Sequence, residues 1–550
     1  MEILRTRRLD HLGLVMGTLK EFGVINLIDQ KITKDDQHTV STGEAIAAMV
    51  MNGLGFVNRP LSLTPQFFET KALDVLFERE IEADVLNRHK LGRALDSIHE
   101  YGCELLFSEV ASHVCQQVEV GEKFTSLDTT SFSVSGDYDC DTDENEIKIT
   151  HGYSKDHRPD LKQAVLELVT SQDGGIPLMM KCFNGNASDN KVFKQRCKQL
   201  ITAFKESDAP RYLVGDSKLY CEDNAKNLSN IKFITRIPRT YKAEINAINE
   251  AINANAWTVI DDSNKYYEHH IKHMGIEQRW LVIYSKAAQL RAEVTINRQI
   301  AKEYKSAEKA LMHLRNKEFN CEHDGINALN QLSSKFKYHE IILDEVISSK
   351  RYDGRGRPKK TDVSAKTIYQ ITGQITSIIN ARRERLEQYS CYIISTNAQA
   401  SELKSTDVID AYKNQNASIE RGFRFLKDPQ FFASSFFLKK PSRIMALLMV
   451  MTLSLLVYTV AQRHLRNQLT EKNDTLPNQI NDPVKNPTMR WVFQLMEGID
   501  IVYIRVKDDI QRKIMGITDL REKIIRFFYP PVFSIYQVEN IKADKMGCSM

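Results

Sequence analysis

The tightest constraint on the fold is a change of hydrophobic period at Phe124. Before it, apolar residues recur at helical spacing, as in HLGLVMGTLKEFGVINLID. Ser41 and Glu44 form an S-x-x-E capping box ahead of AIAAMVMNGLGF. Leu91 to Val118 is expected as one long amphipathic helix. Residues 1–118 therefore read as an N-terminal helical domain, which suits a helix-turn-helix-type DNA-binding module or, alternatively, a generic helical bundle. From Phe124 the period drops to two. FTSLDTTSFSVS alternates as a strand does, and EIKITHGYS, QAVLELVTS and IPLMMKCF follow, with a turn at Asp173-Gly174-Gly175. These pieces predict three consecutive strands with hairpin-like connections.

Beyond them, DNKVFKQRCKQLITAFKES reads as a helix and RYLVGD as a strand. EDNAKNLS reads as a brief helix and KFITRIP as another strand. The order βββ-α-β-α-β is that of the RNase H-like fold, an α/β class with a mixed five-stranded sheet, although other topologies share such a string. The first part of this core is expected at residues 119–240. Residues 241–388 read as a large insertion. It begins β-rich at AWTVID, YYEHHIKHM and QRWLVIYS, is helical from about Lys286 to Ser349, and is helical or mixed to Glu387. YSCYIISTN is expected to resume the core, whose second part spans 389–465. Residues 466–550 form a C-terminal region opening on a polar linker.

Composition narrows the class. Hydrophobic residues make up 42% and charged residues 27%, which argues against a disordered or polytopic membrane chain. Ile444–Val460 carries no charge and lies at the lower edge of a membrane span, but a buried core helix is the expected outcome. Nine cysteines without a C-x-x-C pair argue against a disulfide framework or a zinc knuckle, and fit a reducing cytoplasm. MEILRTRRLD lacks the apolar stretch of a signal peptide. A net charge of +4 excludes a uniformly cationic chain but leaves local basic patches open.

Three carboxylates stand out by position. Asp128 sits inside the first strand, where Asp is disfavoured, and Asp216 ends the fourth. Glu420 lies on a late helix, in SIERGFRFLK. In an RNase H-like sheet the first and fourth strands are neighbours, so the two Asp side chains would converge, and a helix packed across the sheet would add the Glu. Gathered carboxylates repel unless cations sit between them, and hard oxygen ligands suit Mg²⁺ or Mn²⁺. Two such ions about 4 Å apart would activate a water or a 3′-hydroxyl for phosphoryl transfer. The alternative is three unrelated surface acids.

Basic residues cluster near these acids. Arg421, Arg424 and Lys427 follow Glu420, and Lys427, nearly two turns on, shares its face. They suit a DNA phosphate, or a salt-bridged helix. YSKDHRPDLKQ, with Lys155 and Arg158, would approach DNA or form a plain loop. GRGRPKK, with Arg355 and Arg357, resembles an AT-hook, or serves as a solvated hinge. Asp137, Asp139, Asp141 and Asp143 lack the Gly and Glu of a calcium loop and read as a hairpin tip. His269, His270 and His273 read as surface residues of a strand.

At SLDTTSF, HGYSKDHRPDLKQ, NGNASD, VGDSKLYCEDN, CYIISTN and YKNQNASIERGFRFLK the chain resembles the DDE transposases of bacterial insertion sequences. The likeness runs in order over residues 1–465. It fits the insertion-sequence-four superfamily, in the branch with a Tyr-Arg-Glu-Lys signature and the group with long, insertion-bearing chains. It implies that Asp128, Asp216 and Glu420 are catalytic and hold two Mg²⁺ ions, with Mn²⁺ able to substitute. The signature Lys matches Lys427. The signature Tyr and Arg belong seven and four residues before the Glu, where Lys413 and Asn416 stand. Tyr412 is one residue out of register, and Lys413, Arg421 or Arg424 are candidate substitutes.

The resemblance implies cut-and-paste transposition. The partners would be double-stranded DNA, both the element's terminal inverted repeats and the target, gripped by residues 1–118 and the insertion. It further implies a homodimer in a synaptic complex, with residues 466–550 as a possible dimerisation region. Neither a membrane nor a small-molecule substrate is expected, and the location is the cytoplasm, at the nucleoid. The alternatives are a metal-dependent DNA nuclease without strand transfer, or an inactive transposase-derived DNA-binding protein.

Overall fold

The structure is a computed structural model that describes residues 2–32, 39–57, 59–138, 142–187, 211–217, 220, 229–352, 366–431, 438–507 and 509–538. The chain divides into two compact units: Met1–Thr235 with Asp407–Met550, and Arg236–Thr406.

The first unit opens on β1 (Glu2–Arg8), followed by helices. The expected capping box is present. Ser41 Oγ accepts from the Glu44 N–H, and the Glu44 carboxylate accepts from the Ser41 N–H, starting the helix Thr42–Leu54. The single helix expected over Leu91–Val118 is instead two, Arg88–Tyr101 and Cys103–Gln117. Gly102 divides them at φ 108°, a conformation glycine adopts without Cβ strain. Its N–H caps the carbonyls of Ile98 and His99. Apolar spacing stays helical on both sides, so periodicity alone passes over the break.

Next come β2 (Phe124–Val134), β3 (Lys162–Ser171), β4 (Pro177–Phe183), β5 (Tyr212–Gly215) and β6 (Lys232–Arg236), whose last residue begins the second unit. They lie in the spatial order β4-β3-β2-β5-β6 within a mixed sheet. β2, β3 and β4 pair antiparallel, whereas β5 runs parallel to β2 and β6 parallel to β5. Parallel neighbours need crossover connections. The two helices expected there, DNKVFKQRCKQLITAFKES and EDNAKNLS, fall almost wholly outside the described residues. EIKITHGYS is not a strand: Thr150 alone bridges Gln163, at the end of the β2–β3 ladder.

One face of β2 and β3, with Phe132, Val134, Ala164, Leu166 and Leu168, joins a core centred on the helix Pro441–Glu471. That helix is long and apolar enough to cross a membrane by length and composition, yet 89% of its apolar window is buried, as expected of a core helix. The same core takes in both ends of the unit. β1 pairs antiparallel with strand Asp500–Val506, and Tyr536 packs against the bare Cα of Gly13.

In the second unit, β7 (Thr258–Asp261), β8 (Asn264–His273) and β9 (Ile276–Ser285) form an antiparallel meander. The strand expected at YSCYIISTN is β12 (Cys391–Thr396), paired antiparallel with β9. His269 and His270 lie 3.1 Å from Glu250 and Glu268 respectively. The helical expectation from Lys286 to Ser349 holds for Lys286–Arg315 and Glu322–Ser333 and then fails. β10 (His339–Arg351) and β11 (Lys366–Ser377) form a long two-stranded ribbon. Interspersed charges make the first of these strands look like an amphipathic helix. Cross-strand pairs of β-branched residues, Ile341 with Ile375 and Val346 with Ile371, decide for the strand. A small core of Leu311, Phe319, Leu329, Ile341 and Ile371 anchors the ribbon. Its basic segment, with Arg355 and Arg357, lies outside the described residues.

Candidate active site

Asp128 lies in mid-β2, on the face it shares with Ser126, Thr130 and Phe132. Its Oδ1 accepts from the Thr129 N–H at 2.7 Å. The Lys155 ammonium stands 3.7 Å from the same oxygen. Lys155 is held there by Thr129, through the hydroxyl at 3.1 Å and the carbonyl, and its own N–H donates to Ser131 Oγ at 3.1 Å. The loop expected to approach DNA thus sets a positive charge beside the first acid.

Asp216 is the residue that directly follows β5. The parallel β2–β5 ladder pairs Leu127 with Gly215, so the next residues along are Asp128 and Asp216. Adjacent strands lie about 4.8 Å apart, and partners in register point to one face. The Asp216 carbonyl accepts from Thr235 Oγ1 at 2.7 Å, which ties the end of β5 to β6.

Glu420 sits on a helical run comprising Ser405–Gln415, a π-turn at Asn416–Glu420, and Arg421–Leu426. Two contacts lay this run along β2. Ser418 Oγ lies 3.4 Å from Ser126 Oγ, and the Lys427 ammonium lies 5.7 Å from the Phe132 ring centroid. Ser126 and Phe132 flank Asp128 on one face. Gln172 adds a brace, donating to Ser126 Oγ at 3.1 Å and to the Ala411 carbonyl at 2.8 Å. Glu420 itself is exposed. Among the described residues no three His, Cys, Asp or Glu side chains converge tightly enough to hold a metal ion. Asp128 and Asp216 thus follow paired residues of neighbouring strands, while Glu420 rides on the helix packed along β2.

The π-turn bears on Tyr412. A π-turn closes over one residue more than an α-turn. Eight residues separate Tyr412 from Glu420, and the extra residue is taken up inside the turn. Tyr412 therefore returns to about the face that a residue seven positions back holds on an unbroken α-helix. No apolar spacing announces a π-turn, so sequence periodicity misses it.

The remaining candidates differ in their surroundings. Lys427 pairs with Asp156 at 2.7 Å, and Arg158 with Asp160 at 2.7 Å. Lys413, Arg421 and Arg424 are exposed and have no carboxylate partner among the described residues. Asp156, Ser126 and Ser418 escape sequence reasoning because their partners are remote in the chain.

The transposase DDE domain family matches residues 120–457, more than half of the chain. The protein is a DDE transposase. Residues 4–112 match a domain of unknown function, DUF4277. No curated protein matches the transposase. Among solved structures it is similar to a chain of the cryo-EM piggyBac transposase synaptic complex with hairpin DNA. That similarity has a TM-score of 0.36 at 8% identity, over 89% of this chain and 80% of the other. DDE transposase domains in general depend on divalent metal. In this transposase, Asp128 and Asp216, the residues that follow the Leu127–Gly215 pair, carry hard oxygen donors of the kind such an ion takes.

Proposed function

We propose that this enzyme cuts the ends of its own mobile element and joins them to target DNA, using Asp128, Asp216 and Glu420. The observation that carries this reading is the parallel β2–β5 ladder, whose last pair, Leu127 with Gly215, directly precedes Asp128 and Asp216. The strand order β4-β3-β2-β5-β6, antiparallel and then parallel, supports an RNase H-like core with five strands. Asp128 and Asp216 would hold Mg²⁺, or Mn²⁺ in its place, with Glu420 closing on them when DNA binds. The bound ions would supply the charge that offsets developing negative charge on the phosphoryl oxygens.

The chain's own residues would do the positioning. Lys427, Arg424, Arg421 and Lys413 line the helix beside β2 and suit the phosphates of a DNA strand. Tyr412, restored in register by the π-turn, supports placing the enzyme in the insertion-sequence-four branch with the Tyr-Arg-Glu-Lys signature. The signature Arg has no counterpart at Asn416, and Arg421 or Arg424 would stand in. Lys155, which leaves Asp128 when an ion enters, would move to the DNA together with Arg158. Residues 1–118 and the insertion, with Arg355 and Arg357, would grip the terminal inverted repeats. A homodimer in the synaptic complex, acting in the cytoplasm at the nucleoid, completes the reading.

The test uses purified protein, Mg²⁺, a linear DNA bearing the element's ends, and a target plasmid. Joined products are expected. Nicks without joining would favour a nuclease, and a gel shift alone would favour a DNA-binding protein. Asp216→Ala should lose cleavage and keep the gel shift; surviving cleavage would sink the site assignment.

A further inference from the structure

Beside the Glu420 helix the first unit holds a cavity of about 590 Å³. Its walls come from the β3–β4 turn, the π-turn and the helix after it, the long helix Pro441–Glu471, and the segment Asn486–Thr488. The volume falls within the roughly 300–1,000 Å³ of small-ligand sites. Its lining is polar, with Gln172, Ser418, Gln462 and Thr488, and includes two arginines, Arg421 and Arg466, but no Asp or Glu.

The charge balance of this region is uneven. Arg443 pairs with Asp96, Arg463 with Asp173, and Arg490 with Asp428. Arg421 and Arg466 alone among these arginines lack a carboxylate within the described residues. Arg466 is held in place by main-chain carbonyls, its Nε donating to Pro487 at 3.0 Å and its Nη2 to Asn486 at 3.2 Å. Carbonyls fix a guanidinium without neutralising it. Burial pushes the Arg466 guanidinium below its ordinary range; Tyr458 opposes this, and the like charge of Arg421 adds to it. Two cations facing one partly desolvated cavity repel each other until an anion enters.

We propose that this cavity binds a phosphate group through Arg421 and Arg466. Guanidinium forks match phosphate oxygens, and the neutral amides and hydroxyls around them complete the hydrogen bonding. The group has two possible sources: the backbone of bound DNA, which rests on the reading above, or a free phosphate species. In either case an anion here would clamp the π-turn and the helix after it to the long helix.

The experiment titrates the full chain with inorganic pyrophosphate by calorimetry, and with a short DNA duplex by anisotropy over a salt series. Native protein, Arg421→Gln and Arg466→Gln are compared. Arg421 is exposed and makes no ion pair, so its variant should fold even if the loss of Arg466 does not allow folding. The expected result is pyrophosphate binding that weakens at least tenfold in Arg421→Gln. If the duplex also loses affinity in that variant, with a salt slope shallower by about 0.9, and pyrophosphate competes with the duplex on the native protein, the source is DNA. If duplex binding is unchanged while pyrophosphate binding is lost, the source is free phosphate. If neither probe depends on Arg421, the proposal is overturned. A chain that binds pyrophosphate through Arg421 but cleaves no DNA would overturn the catalytic reading and leave this pocket standing.

Discussion

Ser418 Oγ lies 3.4 Å from Ser126 Oγ, and this contact seats the helix of Glu420 on the strand of Asp128. Both serines are buried, and Ser126 also receives the Gln172 amide. Two small hydroxyls let the π-turn approach the sheet closely while keeping its polar atoms paired. Ser126→Val should therefore push the helix outward and orphan the Gln172 donor. Overpacking of this kind costs about 1–3 kcal/mol. Urea unfolding should report that loss, and end cleavage should fall further than stability explains. Native-like cleavage in this variant would show that the contact does not position Glu420.

Lys427 is engaged by Asp156 in the free protein, although its proposed partner is a DNA phosphate. DNA must then displace a carboxylate to gain the lysine. Asp156→Asn should remove that competition and raise DNA affinity at low salt. Its salt slope should change by less than about 0.9, the increment for one phosphate contact, because the native complex already holds the Lys427 contact. Lys427→Ala should abolish the gain in the double variant. Anisotropy titrations over a salt series measure both effects, and an Asp156→Asn gain that persists without Lys427 would assign it to general repulsion instead.

What was legible in the sequence follows from what each element depends on. Asp128 stood out because an acid inside an alternating strand has to be accounted for, and Asp216 because it closes an apolar strand. Their alignment needed the β2–β5 register, which is set by long-range pairing that no local window contains. The first strand of the ribbon β10–β11 reads as a helix for the same reason, since its β-branched pairs meet only across the two strands. The displacement of Tyr412 was visible as an anomaly, yet its resolution lies in a π-turn without a hydrophobic signature. Arg466 carried no sequence signal, because what distinguishes it is the carboxylate its neighbours have and it lacks.

Gly102 marks a break that local periodicity hides. Its φ of 108° separates two helices that the apolar pattern would merge. A Cβ placed there meets only Leu105 Cβ at 3.7 Å, so space is not the obstacle. Backbone strain alone should make Gly102→Ala cost about 1–3 kcal/mol. Thermal unfolding should show the loss. An unchanged midpoint would mean that the junction relaxes toward the continuous helix that the sequence suggests.

Two buried imidazoles set the expected acid response of the first unit. His11 is stacked on Phe493 with centroids 4.4 Å apart, its Nε2 lies 3.0 Å from the Leu54 carbonyl, and burial holds it down at about 4. The nearby Lys71 lowers it further and Asp10 opposes that. His464 is stacked on Tyr529 at 4.1 Å, and burial likewise holds it at about 4. In the unfolded chain each titrates near 6.5. Between those values the unfolded state binds protons that the folded state refuses, so stability is full above pH 6.5 and declines as pH falls toward 4. Each imidazole contributes a slope of about 1.4 kcal/mol per pH unit across that window. Asp96, held below the usual carboxylate range chiefly by Arg443, should add its loss only at lower pH. Urea unfolding at pH 7, 6 and 5 measures the slope. His11→Gln, which keeps a donor for the Leu54 carbonyl but takes up no proton, should remove about half of it. A slope unchanged in that variant would place the acid sensitivity elsewhere in the chain.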